Sequence, residues 1–355
     1  ILSGFLFSLG CTVFQGPLLA LLGAKADTLA ATAGYMRWTV TFGAMPAILN
    51  VVMAYMVRAE GASLHASIGT MTGCLLNVVL DPIFILPWGL NMGAAGAGCA
   101  TFLSNCVACA YFFVLLYVKR KNTYVCIRPS MFRPSKAIVV GVCGVGIPAA
   151  IQNLLNVTGM TVLNNFTSVY GADAVAAMGI AQKVNMVPMY ISQGLSQGFM
   201  PLISYNYASG NTRRMKDALI FVVKLAMPVM VLVSLGYYLF ADSLVAMFMN
   251  NQAIIDYGAK FLHGFCLALP FLCMDFVAVG VFQACGMGSR ALVFAILRKI
   301  VLEIPALYLL NRLFPLYGLS YAQFVTEVIL AAAAVITLMQ IFRKLDSHEK
   351  GGRTL

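Results

Sequence analysis

Asn77 and Asp81 stand four residues apart in the run Leu76-Asn77-Val78-Val79-Leu80-Asp81-Pro82. On a helix that spacing stacks two side chains on one face, one turn apart. An amide oxygen and a carboxylate so placed can ligate a small hard cation, or the carboxylate can take up and release a proton. The stretch from Ser67 to Leu80 carries no charge. A carboxylate in an apolar span is costly unless it is paired or binds something. Asp followed by Pro is also a good helix start, with Asp as N-cap and Pro at the first helical position. Spacing alone leaves both readings open.

Other polar residues sit inside apolar runs. Asp275 lies mid-run in Leu272-Cys273-Met274-Asp275-Phe276-Val277. There it can attract a cationic solute, act as a protonatable switch, or be a carboxyl held for packing. Gln152, Asn153 and Asn156 give two polar faces to a helix opened by Gly146-Ile147-Pro148. Lining an aqueous cleft and bridging helices both fit them. Lys183 is roughly 15 Å into its run by helix rise. It has Asp275 or another acid as a partner, or it snorkels to the outer surface. Arg298 and Lys299 are expected to reach the cytoplasmic interface, with Glu303 one turn deeper and paired within the helix to Lys299.

The elements that must position these groups follow from composition. The 355 residues are 61% hydrophobic and 10% charged, against about 25% charged in soluble domains. The chain is an all-α polytopic membrane protein, and a spanning helix needs about 20 apolar residues. Ten spans are predicted, near 1–22, 34–57, 64–86, 94–118, 138–168, 174–205, 217–240, 257–284, 290–310 and 319–342. The net charge of +11 is topological: the loops on one side hold 15 of the 23 Lys and Arg, and the other side's hold Lys25 and Arg312. The basic side is cytoplasmic by the positive-inside rule and includes the C-terminus. Nucleic acid is therefore not a partner. Cys106 and Cys109 form a C-x-x-C in mid-span, with no second pair or histidine beside it, which reads as helix packing. No H-E-x-x-H or phosphate loop occurs, and no enzyme activity is expected.

The chain repeats itself. Gly34, Pro46 and Arg58-Ala59-Glu60-Gly61 reappear as Gly258, Pro270 and Gln283-Ala284-Cys285-Gly286. Gly96-Ala97-Gly98-Cys99-Ala100-Thr101-Phe102 reappears as Gly318-Leu319-Ser320-Tyr321-Ala322-Gln323-Phe324. The offsets stay between 222 and 225 residues, which predicts two pseudo-symmetric helical lobes, a common transporter plan. The second half has six spans and the first has four, so the repeat predicts two further spans ahead of Ile1. That makes ten of an expected twelve. The divisions are an N-terminal lobe over 1–120, a cytoplasmic linker over 121–136, a C-terminal lobe over 137–345 and a cytoplasmic tail over 346–355. Asp275 falls within one residue of the position matching Asn50, so both are expected to face a central cleft.

With Arg58-Ala59-Glu60-Gly61, Leu76 to Pro82, Gly93 to Thr101, Gly146-Ile147-Pro148 and Gln197 to Asn206, the chain resembles the multidrug and toxic-compound extrusion (MATE) transporters over nearly its whole length. The resemblance implies twelve helices in two lobes that rock about a cleft, and antiport of organic, mostly cationic compounds against Na⁺ or H⁺. It implies no cofactor beyond that ion, and a monomer in the bacterial or archaeal inner membrane. It also implies a cation site in the N-terminal lobe. That site's fifth-helix Asn and Asp and sixth-helix Thr look like Asn77, Asp81 and Thr101, and its remaining acid would lie ahead of Ile1. Some members use an acid on the seventh helix. Here that helix carries Gln152, Asn153 and Asn156 instead, which leaves Asp275 alone for a second site. The nearest rival is a lipid-linked oligosaccharide flippase, expected to line its cleft with basic residues for phosphate. A non-transporting receptor or scaffold accounts for neither the repeat nor the intramembrane acids.

Overall fold

The computed structural model describes residues 2–21, 29–121, 123–125 and 135–350. Lys25, Arg128, Arg133, Arg353, most of the linker and the end of the tail lie outside the described residues. Every predicted span corresponds to a helix or a broken helix. The first is α1 (Leu2–Val13) with α2 (Gln15–Leu21). The second is α3 (Leu29–Met36), a π-helical segment (Arg37–Phe42) and α4 (Ala44–Ala59). Then follow α5 (Ser63–Ile85), α6 (Gly93–Val118), α7 (Lys136–Ser168), α8 (Ala172–Ala208) and α9 (Thr212–Leu239). The short α10 (Ala241–Ala246) precedes α11 (Gln252–Ala284). Next come α12 (Gly288–Ile296), a second π segment (Leu297–Glu303), α13 (Ile304–Leu313) and α14 (Gly318–Lys350).

Six of these helices are long and apolar enough to cross a membrane, and a seventh span is the pair α3–α4, bent by 50°. The longest, α8, is diluted by Gln182, Lys183, Asn185, Gln193 and Gln197. Both π segments precede a proline, Pro46 and Pro305. Proline has no N–H for the carbonyl one turn earlier, which loosens the ladder there. α14 runs on to Lys350, so the first residues of the predicted tail continue the last helix. From Arg343 to Lys350 the chain holds no Gly or Pro, and the first helix breaker is Gly351.

The chain divides into two compact units, Ile1–Phe132 and Arg133–Leu355. The first packs Met53, Val57, Phe112 and Leu116 together. The second has one cluster around Ile203, Met230, Phe282 and Phe294 and another around Met178, Phe261, Leu262 and Leu319. The repeat persists at the level of backbone bonds. After α4, Gly61 takes φ +82° and the Ala62 N–H bonds the Val57 carbonyl at 3.2 Å. After α11, Gly286 takes φ +71° and the Met287 N–H bonds the Phe282 carbonyl at 2.7 Å. Both are Schellman ends, which need a residue in the left-handed region.

Candidate functional site

The first unit builds its site on the contact between α5 and α6. Gly69, Gly73 and Asn77 fall four apart and share one face of α5. A Cβ added to Gly69 would run into the Phe112 ring, and one added to Gly73 would lie 3.1 Å from the Ala108 Cβ. Two glycines in this spacing let helix backbones approach closely. That approach carries Asn77 to α6 two turns into its length. The Asn77 amide donates to Asp81 Oδ1 at 3.1 Å and, at the limit of a hydrogen bond, to Thr101 Oγ1 at 3.5 Å. Thr101 Oγ1 in turn donates to the Ala97 carbonyl at 2.9 Å. The three residues singled out in sequence thus converge between two helices, all half-buried.

A Gly73→Leu variant is expected to lose about 1–3 kcal/mol of stability through overpacking. Thermal unfolding reads the loss, and a melting temperature equal to wild type would mean that the contact is not tight.

Asp81 caps no helix. Pro82 lies inside α5, which continues to Ile85, so Asp81 sits within the last turns of an unbroken helix. Pro82 does, however, strip the Val78 carbonyl of its helical donor. The turn that holds Asp81 therefore has a carboxylate and a spare backbone acceptor. Rotating the Asn77 amide by half a turn exchanges its nitrogen for its oxygen, an assignment fixed by hydrogen bonding alone. Carboxylate, amide, hydroxyl and carbonyl oxygens are the donor set of a hard cation. The same carboxylate suits a proton.

A polar ladder leads away from this group. The Asn105 side chain donates to the Thr101 carbonyl at 3.0 Å and accepts from Asn50 Nδ2 at 3.1 Å. Asn50 on α4 is therefore tied into the α4–α6 contact rather than presented alone. Asn105 was not singled out in the sequence, although it lies one turn from Thr101 in an apolar helix. Cys109 donates its thiol to the Pro46 carbonyl at 3.1 Å, a packing contact between α6 and α4.

The second unit holds an ionic cluster. Arg298 lies 3.2 Å from Asp275 and donates through Nε to Glu327 at 2.8 Å. Asp275 is 2% exposed, Arg298 5% and Glu327 0%. Two expectations are corrected here. Asp275 lines no open cleft, because α11 buries it in the core of its unit. Arg298 does not reach an interface, because two acids on other helices hold it inside. Lys183 pairs with no described acid and is exposed on α8, as the snorkelling alternative expects, and Asp275 already has a guanidinium. The pair Lys299–Glu303 forms within the π segment, at 2.6 Å. Glu327 escaped the sequence reading, yet it is an acid in an apolar span, the same signal that marked Asp81.

Gln152 bridges helices, accepting from Gln283 on α11 at 3.4 Å. Asn153 is exposed and bonds its own helix at the Ala149 carbonyl, while Asn156 is half-buried. Among the described residues no three His, Cys, Asp or Glu side chains group as metal ligands. Asp275 and Glu327 occupy positions that match Asn50 and Asn105 by the repeat. The first lobe therefore joins two amides where the second joins two acids through an arginine.

Comparison with known proteins places this architecture. Residues 148–309 match the MatE family. The multidrug export protein MepA of Staphylococcus aureus (strain bovine RF122 / ET3-1) is 33% identical over 335 residues, covering 94% of this chain and 72% of the relative. MepA of Staphylococcus saprophyticus is 33% identical over 328 residues, 92% of this chain and 71% of its own. Among solved structures, an outward-facing multidrug resistance MATE family transporter of the MOP superfamily superposes with TM-score 0.91 at 24% identity. That match covers 98% of this chain and 77% of the other. A mutant of the Vibrio cholerae MATE transporter VcmN gives TM-score 0.87 at 22% identity, covering 97% and 77%.

Proposed function

The chain belongs to the multidrug and toxic-compound extrusion family, and from that premise we propose that it exports chemically varied, mostly cationic organic compounds by antiport against Na⁺ or H⁺. The observation that carries the coupling half of this reading is the convergence of Asn77, Asp81 and Thr101 between α5 and α6. These side chains hold the ion, Asp81 supplying the formal charge and Asn77 and Thr101 the neutral oxygens. Ion and drug need not touch each other. If the ion binds one conformation of the lobes more tightly and the drug binds the other, each drives the other's release.

The C-terminus and the basic loops face the cytoplasm in this reading, in keeping with the positive-inside rule. A flippase for phosphate-bearing lipids would need mid-span basic residues available to its cargo. Here such residues are few: Arg298 is bound by two acids and Lys299 by Glu303, which leaves Lys183 on α8 and Lys224 on α9 as exposed mid-span lysines.

The test is efflux of a cationic fluorescent dye from a drug-hypersensitive bacterium expressing the protein. Expression is expected to lower dye accumulation, and collapse of both the Na⁺ and the H⁺ gradient is expected to restore it. Accumulation unchanged by expression would overturn the proposal.

A further inference from the structure

A groove of about 540 Å³ runs between α9 and α14 on the surface of the second unit. Its walls are apolar, formed by Ile220, Val223, Val335 and Met339 among others, with Met274 of α11 in the lining. Lys216, Lys224 and Arg343 also line it. Lys216, in the second turn of α9, and Arg343, two turns before the end of α14, lie at one end of it, and the Lys216 ammonium lies 5.6 Å from the centroid of the Phe342 ring. Lys224 is two turns further along α9, about 12 Å by helix rise.

Lys224 is the anomaly. It is exposed, in the run Phe221-Val222-Val223-Lys224-Leu225-Ala226-Met227, in a helix apolar enough to cross a membrane. Among the described residues neither Lys224 nor Arg343 has a hydrogen-bond or ion-pair partner. A lysine on a bilayer-facing surface is costly unless it snorkels to the interface or meets an anion. Snorkelling carries the Lys224 ammonium along the groove toward Arg343 and Lys216. Three cations then gather above an apolar channel.

We infer that this groove binds an anionic phospholipid. Its phosphate sits among Lys216, Lys224 and Arg343, and an acyl chain lies along the apolar walls. Charge complementarity selects the headgroup, and the length of apolar wall beneath it selects a lipid over a soluble anion. The site is on the flank of one lobe and does not depend on the coupling role given to Asp81.

Native mass spectrometry of the detergent-purified protein tests the inference, with phosphatidylglycerol, phosphatidylcholine of the same chains and inorganic phosphate as probes. Phosphatidylglycerol is expected to bind more tightly than phosphatidylcholine. Lys224→Ala and Arg343→Ala are each expected to weaken it about fivefold, and Lys224→Arg to retain it. Equal binding of the two lipids, or no loss in either alanine variant when Lys224→Arg also matches wild type, would overturn the site. Displacement of phosphatidylglycerol by inorganic phosphate alone would make it an anion site rather than a lipid site. A dimer mass that excludes phosphatidylglycerol would assign the groove to a second copy of the chain.

Discussion

Asp81→Asn is expected to reduce ion-driven efflux to the level of cells without the transporter, while the purified variant still binds drug. The substitution removes the only formal charge in the Asn77–Asp81–Thr101 group and changes almost nothing else. The new amide has the same size and keeps an oxygen to accept from Asn77, now 3.1 Å away. Asp81 lies inside α5 and caps nothing, so no helix end is lost. Proteoliposomes separate the two candidate ions. One arm imposes a Na⁺ gradient at clamped pH, and the other imposes a pH gradient without Na⁺. Wild type is expected to respond in at least one arm and the variant in neither. Robust efflux by the variant at wild-type expression would remove Asp81 from the coupling machinery.

The second large effect belongs to Arg298. Arg298→Met is expected to destabilise the protein by about 3–5 kcal/mol, because it leaves two buried carboxyls without their common cation. For a unit of this size that corresponds to a fall in melting temperature of roughly 6–20 °C. Asp275→Asn should be far milder, since it leaves Arg298 and Glu327 as a matched pair. The triple variant Arg298→Met, Asp275→Asn, Glu327→Gln should recover much of the loss, because no charge remains buried. Arg298→Lys is no substitute, as a single ammonium cannot present the fork that spans both acids. If Arg298→Met melts with wild type, the cluster contributes nothing to stability.

The parts of this molecule that sequence made legible are those governed by local chemistry. Apolar runs bounded by charged or Gly-rich loops marked every span. Four-residue spacing put Asn77 with Asp81 and Lys299 with Glu303, and both pairs form. Thr101 required the family resemblance, because nothing within α6 says that Gly69 and Gly73 on α5 will draw the two helices together. Arg298 was misplaced for a related reason. Its partners sit on α11 and α14, and beside Lys299 it looks like one more interfacial cation. Asp81-Pro82 is the sharpest case. The same dipeptide starts helices and also sits inside them, and only the continuation of α5 through Pro82 decides between the two. The π segments left no mark beyond the prolines that follow them.

The ionic cluster also bears on how the protein is made. Asp275, Arg298 and Glu327 are synthesised in that order, on three successive spans. By insertion scales each charge costs about 2.5–3.5 kcal/mol at the middle of a lone helix in lipid. The segment α12–α13 carries Arg298, Lys299 and Glu303, three charges within one predicted span. Its arginine meets an aspartate that was synthesised earlier, on α11. Glu327 then meets an arginine that is already waiting. The charges on the last three spans are therefore compensated only once α11, α12–α13 and α14 have packed together.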